Sequence, residues 1–323
     1  MSLQISGHTG LLGFFADPAS HSRSPLMYNT AFEKLGLDYV YLAFQIDQTT
    51  LPDAVQSMRT LRMRGANVSM PNKTAVMQYL DEISTEARLC GAVNTIVNDS
   101  GHLTGYNTDG SGAMLALSEA GVSVSGKHLV ILGAGGAGTA IITQAALDGV
   151  SEISVFVRKS SFWKSEAFLE KIRKETGCQI SLLDIGDPTV LKQELVRADI
   201  LINATSIGME PNTDACPIPG PEFLNEGLFV MDIIYSPEET TLLRYAKEKG
   251  LPSYKTAFHT SKQLPPTNSA ESNSWEYPQS ALRQNNPKLQ QPLCLLVLRL
   301  SLLNLEQKRL RIQLQHRKLI HQR

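Results

Sequence analysis

Several things are scarce in this chain, and each scarcity removes a class of protein. Four cysteines are spread over 323 residues with no CxxC pair. Cys90, Cys178, Cys216 and Cys294 are therefore expected to be reduced thiols, not a disulfide framework or a zinc cluster. The seven histidines form no HExxH pattern, and no metal is expected. Net charge is nearly absent: 30 basic residues stand against 31 acidic ones, a formal charge of −1, which argues against a general nucleic-acid binder. The most apolar run, 293–303, is interrupted by Arg299 and is too short for a bilayer, so no membrane association is expected. The N-terminus lacks a basic-then-apolar leader, so the chain is expected to stay in the cytoplasm.

One absence is local. Residues 255–323 contain no aspartate and none of the chain's 23 glycines. Eleven of the 30 basic residues but three of the 31 acidic ones lie there, so this stretch carries +8 and residues 1–254 carry −9. The last fifth of the chain is a different kind of sequence.

What is present is an alternation of strand and helix patterns, in a chain long enough for two domains. Residues 10–16 read as a buried strand, and Pro25 opens a helix through about Leu35. Residues 39–46 read as a strand, 51–61 as a helix and 66–70 as a strand ending at Pro71, with a helix from there to about Leu80. Residues 92–98 and 102–104 fit a hairpin turning at Asp99-Ser100-Gly101. A helix over 110–119 bridges to a more regular half: strands at 127–132, 153–157, 179–184, 200–203 and 228–233, with helices at 139–147, 162–175, 190–197 and 241–249. This order predicts the α/β class, an N-terminal α/β domain over 1–110 followed by a Rossmann-type, doubly wound parallel sheet over 111–254.

Between the first strand and first helix of that second half lies Gly133-Ala134-Gly135-Gly136-Ala137-Gly138. Glycines there let the backbone turn sharply and approach a pyrophosphate, which the N–H groups and positive end of the next helix attract. A tight turn without a ligand would use the same residues. The following strand ends in Phe156-Val157-Arg158-Lys159-Ser160, not in the acidic residue that binds a ribose 2′-hydroxyl. Arg158 and Lys159 suit a 2′-phosphate, which favours NADP over NAD; both would also serve as ordinary solvated charges.

The first half carries polar clusters of another kind. Ser20-His21-Ser22-Arg23-Ser24-Pro25 sets hydroxyls at a helix start, where they suit either a carboxylate ligand or an N-cap. Ser69 and Lys73 lie just past a strand, and Asn94 and Asp109 add an amide and a carboxylate. Singly, each reads as turn or surface chemistry. A lysine beside a carboxylate is also a proton donor or acceptor suited to alcohol oxidation at a nicotinamide cofactor.

As a set, SHSRSP (20–25), NVSMPNK (67–73), GAVNT (91–95), NTDG (107–110), GAGGAG (133–138), NATSIGM (203–209) and DIIYSP (232–237) resemble the shikimate dehydrogenase family, in the family's order. The resemblance implies a substrate domain followed by an NADP domain, with reversible reduction of 3-dehydroshikimate to shikimate between them. It implies that Ser22 and Ser24 hold the substrate carboxylate, and that Ser69 (usually threonine in the family), Asn94 and Asp109 bind ring hydroxyls. Lys73 would be the catalytic lysine, paired with Asp109, and Tyr235 would approach the substrate. Gly133, Ala134, Gly135, Gly136, Ala137, Arg158, Lys159, Thr205 and Ile233 would form the cofactor site. A quinate/shikimate dehydrogenase using NAD, or a cofactor-binding but impaired relative, are the alternatives; a monomer or homodimer fits each.

Two departures stand out. Val157 replaces a residue that is usually asparagine in the family. After Tyr254 the family continues with Asn-Gly-x-Gly-Met-Leu and a closing helix carrying a substrate-binding glutamine, whereas here Lys255-Thr256-Ala257-Phe258 follows. The tail over 255–323 is therefore expected to be a frameshifted or rearranged end, disordered over 262–288 and amphipathic over 289–319.

Overall fold

The computed structural model describes residues 5–255. The expectations for the tail beyond Lys255, and Cys294 with them, lie outside the described residues. Two six-stranded sheets carry the chain. In the first, β1 (Gly10–Ala16), β2 (Tyr39–Gln45) and β3 (Gly65–Val68) are parallel. An antiparallel hairpin of β5 (Thr95–Asp99) and β6 (His102–Tyr106) joins β3, and the short β4 (Glu82–Ile83) lies outermost, giving the order β2-β1-β3-β5-β6-β4. Helix α1 (Ser24–Leu35) covers one face through Phe32, packed with Leu12 and Tyr41. Helix α2 (Leu51–Thr60) covers the other through Leu51, Val55 and Met58, packed with Phe15, Val68 and Ile96.

The second sheet is wholly parallel, in the order β12-β11-β10-β7-β8-β9. Its strands are β7 (His128–Leu132), β8 (Glu152–Val157), β9 (Gln179–Asp184), β10 (Ile200–Asn203), β11 (Phe229–Asp232) and β12 (Ser253–Lys255). Every residue of β7 is buried, as a central strand with helices on both faces requires. Helices α4 (Asp109–Glu119), α5 (Gly136–Leu147) and α6 (Phe162–Thr176) supply one covering layer through Leu117, Ile141 and Leu169. Helices α7 (Pro188–Arg197) and α8 (Thr241–Glu248) supply the other through Leu195 and Leu242. Side chains of this size stabilise by about 1.5–3 kcal/mol each when fully buried, so both faces hold the sheet firmly. The chain runs outward from β7 to β9 and then returns to β10 beside β7, and ligands bind such sheets at the carboxyl edge where the order reverses.

The two sheets meet along a seam of helices. Helix α3 (Thr85–Cys90) places Leu89 in the same core as Leu117, Ile131 and Ile141. A Cβ on Gly110 would stand 2.3 Å from the Ala140 carbonyl oxygen, so the backbones of α4 and α5 touch there. Arg88 of α3 reaches Glu175 of α6 at 2.8 Å.

The expected elements form, with four differences. The helix read over 71–80 is only a 3-10 turn, Ala75–Tyr79. The Asp81 carboxylate accepts from the Leu103 N–H and from Arg59, and draws the chain into β4 instead. Helix α3 and strands β4 and β12 were not anticipated: at two to six residues each, they are too short for a periodic pattern.

Candidate active site

At the far end of β3 the chain turns through Ser69 and Pro71 and brings Lys73 back over the sheet, anchored where the Lys73 carbonyl accepts from the Val93 N–H at 2.8 Å. Gly91, in the left-handed region at φ 70°, ends α3 and directs the next residues into β5. Asn94 thereby sits just before β5, and Asp109 just after β6 in the first turn of α4. An acidic residue is favoured there by the positive helix end, and the Asn107 side chain holds the Asp109 N–H at 3.1 Å.

These three residues converge. Lys73 Nζ donates to Asp109 Oδ2 at 2.8 Å, and Asn94 Nδ2 donates to Asp109 Oδ1 at 2.7 Å. The Lys73 and Asp109 side chains are about one-third and one-quarter exposed, open enough to meet a small molecule. Ser24 is buried at the start of α1, and its N–H donates to the half-buried Ser22 Oγ at 3.2 Å. The N-cap is Arg23, which makes no side-chain cap bond, so Ser22 from outside the helix takes the first free N–H of α1. Ser69 is half-buried, with its N–H on the Phe15 carbonyl.

The glycine turn lies at the carboxyl edge of β7. Gly133 has φ 96°, outside the comfortable range of other residues. A Cβ on Gly138 would lie 2.2 Å from the Gly133 carbonyl oxygen, so only hydrogen fits. Gly135 and Gly136, by contrast, have nothing within 4 Å of an added Cβ. No side chain caps α5, whose first N–H groups therefore face open space. That open cradle fits a pyrophosphate. Thr205, after β10, packs its methyl on Gly133, and its hydroxyl donates to Asn203 Oδ1 at 2.7 Å. Ile233 follows β11 with its N–H on the Asn203 carbonyl, and Tyr235 beyond it is 58% exposed. Arg158 is exposed directly after β8. Lys159 is also exposed, but pairs with Asp184 at the end of β9 at 3.4 Å.

Sequence reasoning missed the residues that hold this edge in shape. Fully buried Asp232 accepts from the Ile234 N–H and the Thr240 hydroxyl, and from Asn203 Nδ2 at 3.2 Å. Burial pushes its carboxyl above the usual range, against the pull of those donors. The signal was an amide and a carboxylate ending adjacent strands, in the same segments that carried the resemblance.

Other chemistries find less support. Burial raises the thiols of Cys90, Cys178 and Cys216, which disfavours the thiolate a nucleophile needs. Among the described residues, His128, Glu152 and Glu194 bring ligand atoms within 4.8 Å of one another at the opposite end of the sheet. The Arg197 guanidinium already pairs with both carboxylates there. Among the described residues no helix is long and apolar enough to cross a membrane.

A doubly wound sheet with an open glycine cradle, joined to a second domain that presents a lysine–carboxylate pair, defines an NAD(P)-dependent oxidoreductase acting on an alcohol carbon. Comparison with known proteins gives the family. Residues 14–96 match the family model described as the shikimate dehydrogenase substrate binding domain. The shikimate dehydrogenase (NADP(+)) of Listeria monocytogenes serotype 4b (strain F2365) is 51% identical over 248 residues, covering 76% of this chain and 85% of the relative. A crystal structure of the L. monocytogenes shikimate 5-dehydrogenase in complex with shikimate and NAD matches with a TM-score of 0.77 at 50% identity, over 79% of this chain and 89% of that one. A shikimate dehydrogenase structure in complex with NADP+ matches with a TM-score of 0.69 at 39% identity, over 78% and 86% of the two chains. The chain belongs to the shikimate dehydrogenase family.

Proposed function

We propose that this chain catalyses the reversible, NADP-dependent reduction of 3-dehydroshikimate to shikimate, as a cytoplasmic enzyme of aromatic amino acid biosynthesis. The observation that carries the reading is the Lys73–Asp109 pair at the seam. Asp109 opens α4, and the next residue, Gly110, rests on Ala140, one turn into the helix that begins at the glycine cradle. The first sheet would act as the substrate domain and the second as the cofactor domain, spanning about 1–110 and 111–254. Ser22 and Ser24 would receive the substrate carboxylate, and Ser69, Asn94 and Asp109 the ring hydroxyls, with Tyr235 closing from the cofactor side.

When bound, the nicotinamide supplies or accepts the hydride. The lysine handles the proton. Its ammonium form, held against Asp109 Oδ2, donates to the nascent alkoxide in reduction; the neutral amine accepts the hydroxyl proton in oxidation. Asp109 keeps Nζ in one place, and the Asn94 amide fixes the carboxylate in turn. Gly133 to Ala137 would bind the pyrophosphate and Arg158 the 2′-phosphate, with Thr205 and Ile233 beside them.

One feature favours NAD as a second reading. Lys159 is engaged by Asp184, and Val157 offers no polar group, which leaves Arg158 as the main contact for a 2′-phosphate. The test is oxidation of shikimate and quinate with NADP and NAD by the purified chain, followed at the reduced-nicotinamide absorbance. Turnover of shikimate with NADP as the preferred pair is expected. Absence of turnover with all four pairs, in a chain that still binds NADPH, would overturn the assignment of activity.

A further inference from the structure

The Asn94 amide has one orientation, and the surrounding bonds determine which. The Thr108 main-chain N–H, which can only donate, lies 3.0 Å from Asn94 Oδ1. That atom is therefore the oxygen, and the amide's NH2 faces Asp109. The Thr95 hydroxyl, 2.9 Å from the same oxygen, must be a second donor to it. Having donated, Thr95 Oγ1 accepts from Asn67 Nδ2 at 3.1 Å, and the Asn94 carbonyl, which can only accept, takes the same NH2 group at 3.4 Å. Asn67 Oδ1 then receives the Tyr41 hydroxyl at 2.8 Å. The donors thus run in one direction from Tyr41 to Asn67, from Asn67 to Thr95, from Thr95 to Asn94 and from Asn94 to Asp109.

The series is also sheltered and clamped. Tyr41, Thr95 and Asn94 are each more than nine-tenths buried. Tyr28 stacks on the Tyr41 ring at 4.4 Å and 12°, and the Asn29 side chain bonds both the N–H and the carbonyl of Tyr41. Asn67 is half-buried, and the three buried members have few competing partners for their bonds.

We propose that Thr95 is a positioning residue for the Lys73–Asp109 pair, and that Asn67 and the Tyr41 hydroxyl extend its hold to the far side of the first sheet. The inference rests on the reading of Lys73 and Asp109 as the proton-handling pair. Thr95 touches neither of them. Together with the main-chain N–H and the hydroxyl of Thr108, which reach the same oxygen at 3.0 and 3.2 Å, its hydroxyl holds the oxygen end of the Asn94 amide away from the carboxylate. With its oxygen turned toward Asp109, Asn94 would repel the carboxylate and displace the atom that anchors Lys73 Nζ.

The test uses Thr95→Val, Thr95→Ser and Tyr41→Phe in the full chain, plus Thr95→Val and Tyr41→Phe combined with Lys73→Ala. Shikimate oxidation with NADP gives kcat and KM, and NADPH fluorescence gives cofactor affinity. Thr95→Val is expected to lower kcat about 10- to 100-fold, as for a small misplacement of reacting groups, with KM and NADPH affinity changed less than about 3-fold. Thr95→Ser, which keeps the hydroxyl, stays within about 3-fold of the parent in kcat. In the Lys73→Ala background, assayed at high enzyme concentration, Thr95→Val costs less than about 2-fold more, because it acts through the pair. If circular dichroism shows Thr95→Val unfolded, Tyr41→Phe carries the comparison, with a loss of about 3-fold or more confined to the Lys73 background. A Thr95→Val enzyme with parental kcat, a serine variant without rescue, or an equal loss in both backgrounds would overturn the positioning role. Parental kcat in Lys73→Ala alone would instead overturn the underlying reading of the pair.

Discussion

Gly136 and Gly138 lie two residues apart in one helical turn, and a methyl group at each should do opposite things. At Gly138 the added carbon would stand 2.2 Å from the Gly133 carbonyl oxygen and 3.5 Å from Ala204 Cβ. Carbon and carbonyl oxygen approach no closer than about 3.3 Å in good contacts, so α5 and the turn must separate by about 1 Å. Overpacking of that kind costs about 1–3 kcal/mol, or roughly 3–10 °C in Tm for a unit the size of the second domain. At Gly136 nothing lies within 4 Å of the added carbon. The residue already lies in the first turn of α5, where alanine is favoured over glycine by up to about 1 kcal/mol. Gly136→Ala should therefore keep or raise Tm without ligand. It should also lose NADPH affinity by about 10-fold or more, since its methyl would crowd the open N-terminus of α5, where a pyrophosphate docks. Thermal unfolding without ligand and NADPH fluorescence titration measure the two effects separately. A Gly136→Ala protein with parental NADPH affinity would remove the cradle from the cofactor site. A Gly138→Ala protein with parental Tm would show that the turn is looser than its contacts imply.

Other expectations concern charge. Lys73→Ala should lower kcat about 10²- to 10⁴-fold with a much smaller change in KM; steady-state kinetics with shikimate decide it. Arg158→Ala should cut kcat/KM for NADP about 10-fold or more while leaving NAD nearly untouched, and an equal loss for both cofactors would place Arg158 away from the 2′-phosphate. Asp184→Asn frees Lys159 from its ion pair and should raise the NADP-to-NAD ratio. Asp47 is held down to a pKa of about 2 by hydrogen bonds from Thr49 and Thr50. A depressed carboxyl stabilises above its ordinary value of 3.8 and ceases to as pH falls toward 2, so the Tm deficit of Asp47→Ala should shrink across that window. A deficit that is constant with pH would refute a stabilising role for these hydrogen bonds.

The sequence announced the second half of the molecule better than the first. Buried parallel strands such as β7 are continuous apolar runs, and the glycine turn has a mechanical reason for each small residue, so both could be read directly. The partner of Lys73 could not, and its pairing with Asp109 came only from the family resemblance. Lys73 and Asp109 are 36 positions apart, and only the pairing of β3, β5 and β6 brings their turns together. Thr95, Asn67 and Tyr41 were harder still, because a threonine or tyrosine in a strand is what strand propensity alone would place there. Asp184 was invisible for another reason: its effect on Lys159 depends on the register of β8 against β9, which sets Val157 opposite Asp184.

The helix seam has a mechanical consequence. Leu89 of α3 and Leu117 of α4 are both embedded in the core of the second sheet, so the start of α4 travels with that sheet, while Lys73 travels with the first. The Lys73–Asp109 contact thus bridges the two sheets at this seam. Lys73 is tied to Val93 beside α3 and Asp109 to the contact between α4 and α5, so the pair is fastened to both sheets at once.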